Sequence, residues 1–322
     1  MNLNKLKNAC LIFSLFLAGA LFIVLYVLKY KESTGAAAKR QSEPEYDAKI
    51  AENKSVYKGD DPGKLVKVYI SVFPTYDGEG KINDLSSFDL AAYWDSDNNP
   101  VLDANVQFIP EDKEADNYRM RTPNATVRVR GNRGAALKSY RIKMMDGIEA
   151  YEGQAVFNID KNLGDPSRIA NKLAHDLIKN LDDITGFRTD FFHVFIRDLS
   201  SSGTEGELYS YGLYTHIEQP NKAYLRSRGL DENGNLYRAE NFDFQLVPQL
   251  KNIDDPEYNE REFETVLDIR EGKDHAKLLN MLKDINDPDK DFDEVFYTYF
   301  NEDNYLTWLA VNILLGNADA VS

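Results

Sequence analysis

Residues 127–143, VRVRGNRGAALKSYRIK, concentrate cationic side chains at a fixed spacing. Val127 and Val129 alternate with Arg128 and Arg130, and Tyr140, Ile142 and Met144 alternate with Ser139, Arg141 and Lys143. Successive side chains on a strand point to opposite faces, so period-two alternation predicts one apolar and one wetter face. Gly131 and Gly134 mark the bend between the two runs. The sequence therefore predicts a hairpin whose wetter face carries Arg128, Arg130, Arg141 and Lys143. That arrangement suits an anion or a phosphate. A hairpin with a solvated basic face and no ligand is the commoner meaning of the same pattern.

Two other constellations could do chemistry. His216 and Glu218 fall two residues apart, on one strand face. A metal site there needs a third ligand, for which His193 on a nearby predicted strand is the candidate. Polar residues at a strand end are the simpler account, and the four histidines are scattered along the chain. Asp319 follows an apolar helix and the break Gly316-Asn317. A carboxylate in a loop just past a helix end is placed to hold a metal or orient a nucleophile, although a C-terminal aspartate taken alone carries no such role. Walker loops, GxGxxG, HExxH and GxSxG signatures are absent from the sequence.

The elements that must position these residues can be read in order. Val66, Val68, Ile70 and Val72 alternate with polar neighbours and predict a strand; residues 86–94 and 104–109 predict two more. Asp165-Pro166 is suited to open a helix, Asp165 as its cap and Pro166 at its first position. Ile169, Leu173, Leu177 and Leu181 then form an apolar stripe, with Arg168, Lys172, Asp176 and Lys179 elsewhere on the helix. Residues 191–197, 208–218 and 235–240 predict further strands. Leu278, Leu279, Leu282 and Ile285 predict a helix capped by Asp274. Leu306, Leu309 and Ile313 mark the apolar side of another, from about 303 to 315, stopped by Gly316 and Asn317. Strands followed by helices give an α+β class with a mainly antiparallel N-terminal sheet and a helical C-terminal part.

Composition narrows the function. The chain has 322 residues, 43% of them hydrophobic, enough for a sizeable core. A net charge of −15 disfavours nucleic acid as a partner. Cys10 is the only cysteine, so neither an internal disulfide nor a thiolate metal cluster can form. Residues 9–28 are almost wholly apolar, and about 20 residues of helix span roughly 30 Å, the thickness of a bilayer core. We expect residues 1–31 to act as a transmembrane signal anchor with a short cytoplasmic tail, residues 32–63 as a polar linker, and residues 64–322 as a domain on the extracytoplasmic side. Secretion after cleavage of the signal near residues 35–38 is the alternative.

Several segments, in order, carry a resemblance. VRVRGNRGAALKSYRIKM resembles the RGN…KSYRIK signature of the spore-coat CotH kinase family, although Arg133-Gly134 replaces a Ser-rich turn. The run from Asp165 to Leu177, DPSRIANKLAHDL, is similar to that family's DPS…RNKLA helix. YGLYTHIEQ from Tyr211, GNLYRA from Gly234, and the helix ending in Gly316-Asn317-Ala318-Asp319 are similar to three further family segments. The resemblance implies a diverged protein-kinase-like, two-lobed fold and an atypical kinase that transfers phosphate from ATP to Ser or Thr of a protein, with Mg2+ or Mn2+. Phosphoryl transfer needs cations on the phosphates, a carboxylate for the metal and a group that orients the acceptor hydroxyl. By the resemblance Arg130, Lys138 and Lys143 supply the cations, Glu218 a supporting carboxylate, and Asp319 both the catalytic and the metal-binding one. The family's distal acidic segment has no counterpart before Ser322, which implies that the C-terminal lobe is incomplete. A non-catalytic surface or adhesion module on the same fold is the competing expectation.

Overall fold

The chain divides into two compact units, Met1–Asp47 and Ala48–Ser322. The computed structural model describes residues 52–76, 78–80, 82–90, 99–113, 121–131, 134–148, 151–200, 206–240 and 242–317, all in the second unit. The expected anchor and cleavage zone lie outside the described residues. Among those described, no helix is long and apolar enough to cross a membrane.

Eleven strands are described. In chain order they are β1 (Leu65–Phe73), β2 (Thr75–Tyr76), β3 (Ile82–Asn83), β4 (Val101–Pro110), β5 (Ala125–Arg130), β6 (Ser139–Met144), β7 (Val156–Asp160), β8 (Thr189–Asp198), β9 (Leu208–Glu218), β10 (Leu236–Arg238) and β11 (Asp268–Glu271). Seven of them close into a barrel in the order β1-β4-β5-β6-β7-β9-β8. Every pairing is antiparallel except that of β1 with β8, which closes the ring in parallel.

Alternation dictates what fills the barrel. Val66, Val68, Ile70 and Val72 of β1 point inward and meet Val127 and Val129 of β5, Tyr140 and Ile142 of β6, and Phe157 and Ile159 of β7 in one cluster. A closed ring of this size has an interior that side chains can fill, and closure leaves no open sheet edge. A second, smaller cluster forms in the C-terminal part around Leu250, Phe263, Leu267 and Leu282.

Several expectations change. Residues 86–94 do not begin as a strand. Asp84 accepts from the Ser87 backbone N–H at 3.1 Å and from the Ser86 hydroxyl at 2.6 Å, and Ser87–Leu90 forms one helical turn. Local Asp-to-backbone bonds compete with extended structure in this way. The helix expected from Pro166 starts later, at Ala170. Asp165 still accepts from the Ala170 N–H at 2.9 Å, but Arg168 sits at a positive φ of 63° and its guanidinium bonds the Lys161 and Asn162 carbonyls, each at 2.6 Å.

The Ala170–Ile178 helix also turns its polar side inward. Lys172 and Lys179 are buried, whereas Leu173 and Leu177 are exposed. The reason is what the barrel offers: Thr189, at the start of β8, accepts from Lys172 at its carbonyl (3.1 Å) and from Lys179 at its hydroxyl (3.0 Å). Asp176 and Asp60 neutralise the two ammonium groups. The last helix, Glu302–Leu315, likewise leaves Leu306 and Ile313 exposed, and Gly316 in the left-handed region ends it as expected.

Residues 52–63, at the end of the stretch expected as a linker, are seated on the domain. Lys54–Tyr57 forms a 3-10 turn capped by Asn53. The Tyr57 hydroxyl donates to the Gly186 carbonyl at 2.8 Å, and the Lys54 ammonium to the Leu181 carbonyl at 2.6 Å.

Gly272, just past β11, sits against the chain entering β10. Its φ is +86°, and a Cβ there would overlap the Asn235 side chain. A left-handed conformation costs an L-residue roughly 1–2 kcal/mol before any clash is counted. Gly272→Ala is therefore expected to lower stability by at least about 1 kcal/mol in urea unfolding, and an unchanged midpoint would show that the β10–β11 pair does not need this conformation.

Candidate functional site

The wetter face of the β5–β6 hairpin is outward, as the alternation predicts. Arg128 stands directly opposite Arg141, and Arg130 opposite Ser139. Lys143 lies on the same face but pairs with Thr126, four residues along the strand from Ser139. At roughly 3.4 Å per residue, Arg130 and Lys143 stand about 14 Å apart along the hairpin. Arg141 falls between them. Lys138, just before β6, is buried.

Arg130 is held in place by Asp160, at the end of β7. The guanidinium reaches one carboxylate oxygen at 3.2 Å, while the other accepts from the Ser139 hydroxyl and the Asn162 N–H, each at 3.0 Å. Burial pulls the Arg130 guanidinium below its ordinary pKa; Asp160 opposes that, and Arg238 and Arg270 add to it. Burial also lowers Arg141, followed by Arg128, Arg270 and Arg130. Arginine stays charged throughout this range. Charge repulsion from Arg238 of β10 and Arg270 of β11 thus adds to that among the arginines of β5 and β6.

Three carboxylates serve these five arginines. Asp160 pairs with Arg130, Asp268 with Arg270 at 2.6 Å, and Glu240 with Arg238. Among the described residues neither Arg128 nor Arg141 has a carboxylate partner. In a chain of net charge −15, this is a local reversal of sign. Sequence reasoning found the β5–β6 half of the cluster. It missed Arg238 and Arg270, for which the only local signal was a short strand after a turn, and Asp160, which no spacing singled out.

Glu218 is placed elsewhere. It points toward the inside of the barrel end and is buried with Arg228, which is fully buried. Arg228 donates to the two Glu218 oxygens at 2.6 and 3.2 Å, and Arg188 donates from its side chain at 2.5 and 2.9 Å and from its backbone N–H at 3.0 Å. Arg228 also reaches Glu52 at 3.1 Å and the Gly186 carbonyl at 2.9 Å, and lies over the Tyr224 ring at 3.9 Å. Burial raises the Glu218 pKa, but hydrogen bonds from Arg188 and Arg228 outweigh it and hold the carboxyl below its ordinary value.

His216 and Glu218 do share the inner face, yet His193 does not join them. Its register partner on β9 is Leu213, it lies on the outer face, and its ring meets the Ser210 hydroxyl at 2.8 Å. His216 stacks on Phe192, with ring centroids 5.0 Å apart. Among the described residues no group of three His, Cys, Asp or Glu side chains could hold a metal. Asp319 lies outside the described residues.

Lys161 was not foreseen either. It is buried, directs its ammonium at the Tyr211 and Leu213 carbonyls, and sits 4.2 Å from the centre of the Tyr214 ring. Burial and then Arg168 lower its pKa.

A profile of the CotH kinase protein family matches residues 127–322, the larger part of the chain. The chain belongs to the CotH kinase family. The matched region opens at Val127, so the arginine-bearing hairpin begins the family domain. It also contains the β10–β11 arm. β1, β4 and the first two residues of β5 precede the match, although they close the same barrel. Comparison with curated proteins and with solved structures gave no match. Membership in a kinase family implies ATP as the phosphate donor and, at most, proteins as substrates.

Proposed function

We propose that this chain is an atypical protein kinase that transfers phosphate from ATP to Ser or Thr of a protein. The observation that carries it is family membership over residues 127–322. The arginine-bearing face supports it, because two guanidinium groups without carboxylate partners among the described residues, Arg128 and Arg141, fit the charge of a nucleotide's phosphates. In this reading Arg130, Lys138 and Lys143 supply cationic charge on the ATP side. Glu218 supports the site from within the barrel by fixing the end of β9 through Arg188 and Arg228. Asp319 holds Mg2+ or Mn2+ and orients the acceptor hydroxyl; the metal, when bound, screens the charge on the phosphates. The two apolar clusters, one in the barrel and one among the C-terminal elements, support a two-lobed, kinase-like arrangement. Membrane anchoring through residues 9–28, with the domain on the extracytoplasmic side, belongs to the same proposal and rests on the apolar run alone.

The test uses the whole chain with labelled ATP, magnesium or manganese, and a serine-rich acceptor protein. Label should appear on Ser or Thr, and Asp319→Ala should remove it. Absence of label with either metal, or transfer that survives Asp319→Ala, overturns the reading.

A further inference from the structure

Phenylalanine rings form an unbroken row across the C-terminal part. Phe242 meets Phe244 with centroids 5.0 Å apart, Phe244 meets Phe300 at 6.2 Å, Phe300 meets Phe296 at 5.5 Å, and Phe296 meets Phe292 at 6.0 Å. Tyr297 stands edge-on to Phe296 at 5.4 Å. Rings at such separations commonly fill a core. This row opens to solvent instead: Phe292 is 76% exposed, Tyr297 42% and Phe244 40%. Phe244 is also strained. Its φ is +58°, a region that bulky side chains avoid, and Asn286 holds it by donating to its carbonyl at 2.8 Å. Backbone strain of this kind clusters at sites that bind or act.

The charge around the exposed rings has one sign. From Asp284 to Asp303 the sequence carries eight carboxylates and one base, Lys290, which Asp284 engages at 2.8 Å. Asp291 caps the Phe292–Tyr299 helix, and Asp293 and Glu294 in its first turn suit the helix N-terminus, so these acids alone call for no ligand. Capping does not account for the rings. Asp293 precedes Tyr297 by four residues, on the same side of the helix, and the Tyr297 hydroxyl donates to Glu302 at 3.1 Å. Carboxylates therefore border the exposed aromatic face.

We propose that this face, Phe292 and Tyr297 with Asp293 and Glu302 beside them, docks an arginine-bearing segment of a partner protein. The face of an aromatic ring attracts a cation through its quadrupole, more strongly once water is displaced. Arginine also lays a flat guanidinium on a ring while its N–H groups reach a carboxylate. A purely apolar partner would cover the carboxylates without pairing them, and an acidic one would meet like charge. The net charge of −15 favours the same class, by steering a basic segment in from solution. None of this rests on the kinase reading.

The test is fluorescence anisotropy with the whole chain and three labelled short peptides, in which serine alternates with arginine, lysine or glutamate. The arginine peptide is expected to bind, the lysine peptide to bind more weakly, and the glutamate peptide not to bind. Phe292→Leu keeps an apolar side chain and the net charge, and should lose about 3-fold or more in affinity for the arginine peptide because the ring is gone. Asp293→Asn, which keeps the rings, should lose a similar factor. Asp146→Asn, at an exposed carboxylate just past β6, should bind as the wild type does. Phe292 is mostly exposed, so Phe292→Leu should melt with the wild type, which makes its loss one of binding. Failure of the arginine peptide to bind overturns the proposal. Wild-type affinity in both Phe292→Leu and Asp293→Asn overturns it too, since the attraction is then to net charge alone. A dimer in sedimentation that Phe292→Leu dissolves gives the face to a second copy of the chain, and likewise overturns it.

Discussion

Replacing Arg228 with alanine is expected to cost about 3–5 kcal/mol of folding stability, the range for breaking a buried ion pair from one side. Arg228 is fully buried and donates to Glu218, Glu52 and the Gly186 carbonyl. Alanine supplies none of these donors. Glu218 would keep Arg188 and Glu52 would keep Lys54 at 3.1 Å, so the loss falls short of two fully stranded charges. Arg228→Lys should rescue little, because a single ammonium cannot span Glu218, Glu52 and Gly186 at once. Urea unfolding at neutral pH reads the effect, and a loss below about 1 kcal/mol would show that the cluster contributes little.

The same cluster predicts a pH dependence with a defined sign. The folded Glu218 carboxyl is held below its ordinary value of 4.5. A depressed carboxylate contributes stability that is fully present above the unfolded value and lost as pH falls through the folded one. In Arg228→Ala one source of that depression is gone. The stability gap between wild type and variant should therefore narrow below about pH 4.5. A gap that is constant with pH would assign the loss to packing against Tyr224 rather than to charge.

What was legible in the sequence follows the range of the interaction. β5, β6 and β9 could be read because alternation is a local signal, and β9 spans Leu208–Glu218 as expected. The final helix ends at Gly316 for an equally local reason, the positive φ of 65°. The site is only half local. Arg130 and Arg141 are neighbours through one hairpin, but the charges of Arg238 and Arg270 weigh on them from a part of the chain that no spacing links to that hairpin. Arg228 is hidden for the same reason: its partner Glu52 is 176 residues away, and a single arginine after a short helix carries no pattern. Barrel closure depends on β1 pairing with both β4 and β8, a choice that alternation in β1 does not specify.

The Ala170–Ile178 helix is where local pattern and structure disagree most directly, and paired substitutions decide between them. By its apolar stripe, Leu173 should be a core residue and Lys172 a solvated one. The structure reverses this: Lys172 is 2% exposed and Leu173 is 55% exposed. Lys172→Ala removes the ammonium that bonds Asp176 at 3.0 Å and the Thr189 carbonyl at 3.1 Å, and leaves a hole against β8. Asp176 retains Lys179 at 2.9 Å, so the expected loss is about 2–3 kcal/mol, below the full cost of stranding a buried charge. Leu173→Gln should stay within about 0.5 kcal/mol, as exposed positions do. Acid should erase part of the Lys172 effect. Burial raises the Asp176 pKa, but hydrogen bonds from Lys179 and then Lys172 hold it below its ordinary value of 3.8. The contribution it makes to stability is thus present above that value and fades as pH falls through the lower folded one. If Leu173→Gln proves the costlier change in urea unfolding, the apolar stripe is the buried face and the ion network of Lys172, Asp176 and Lys179 does not anchor the helix.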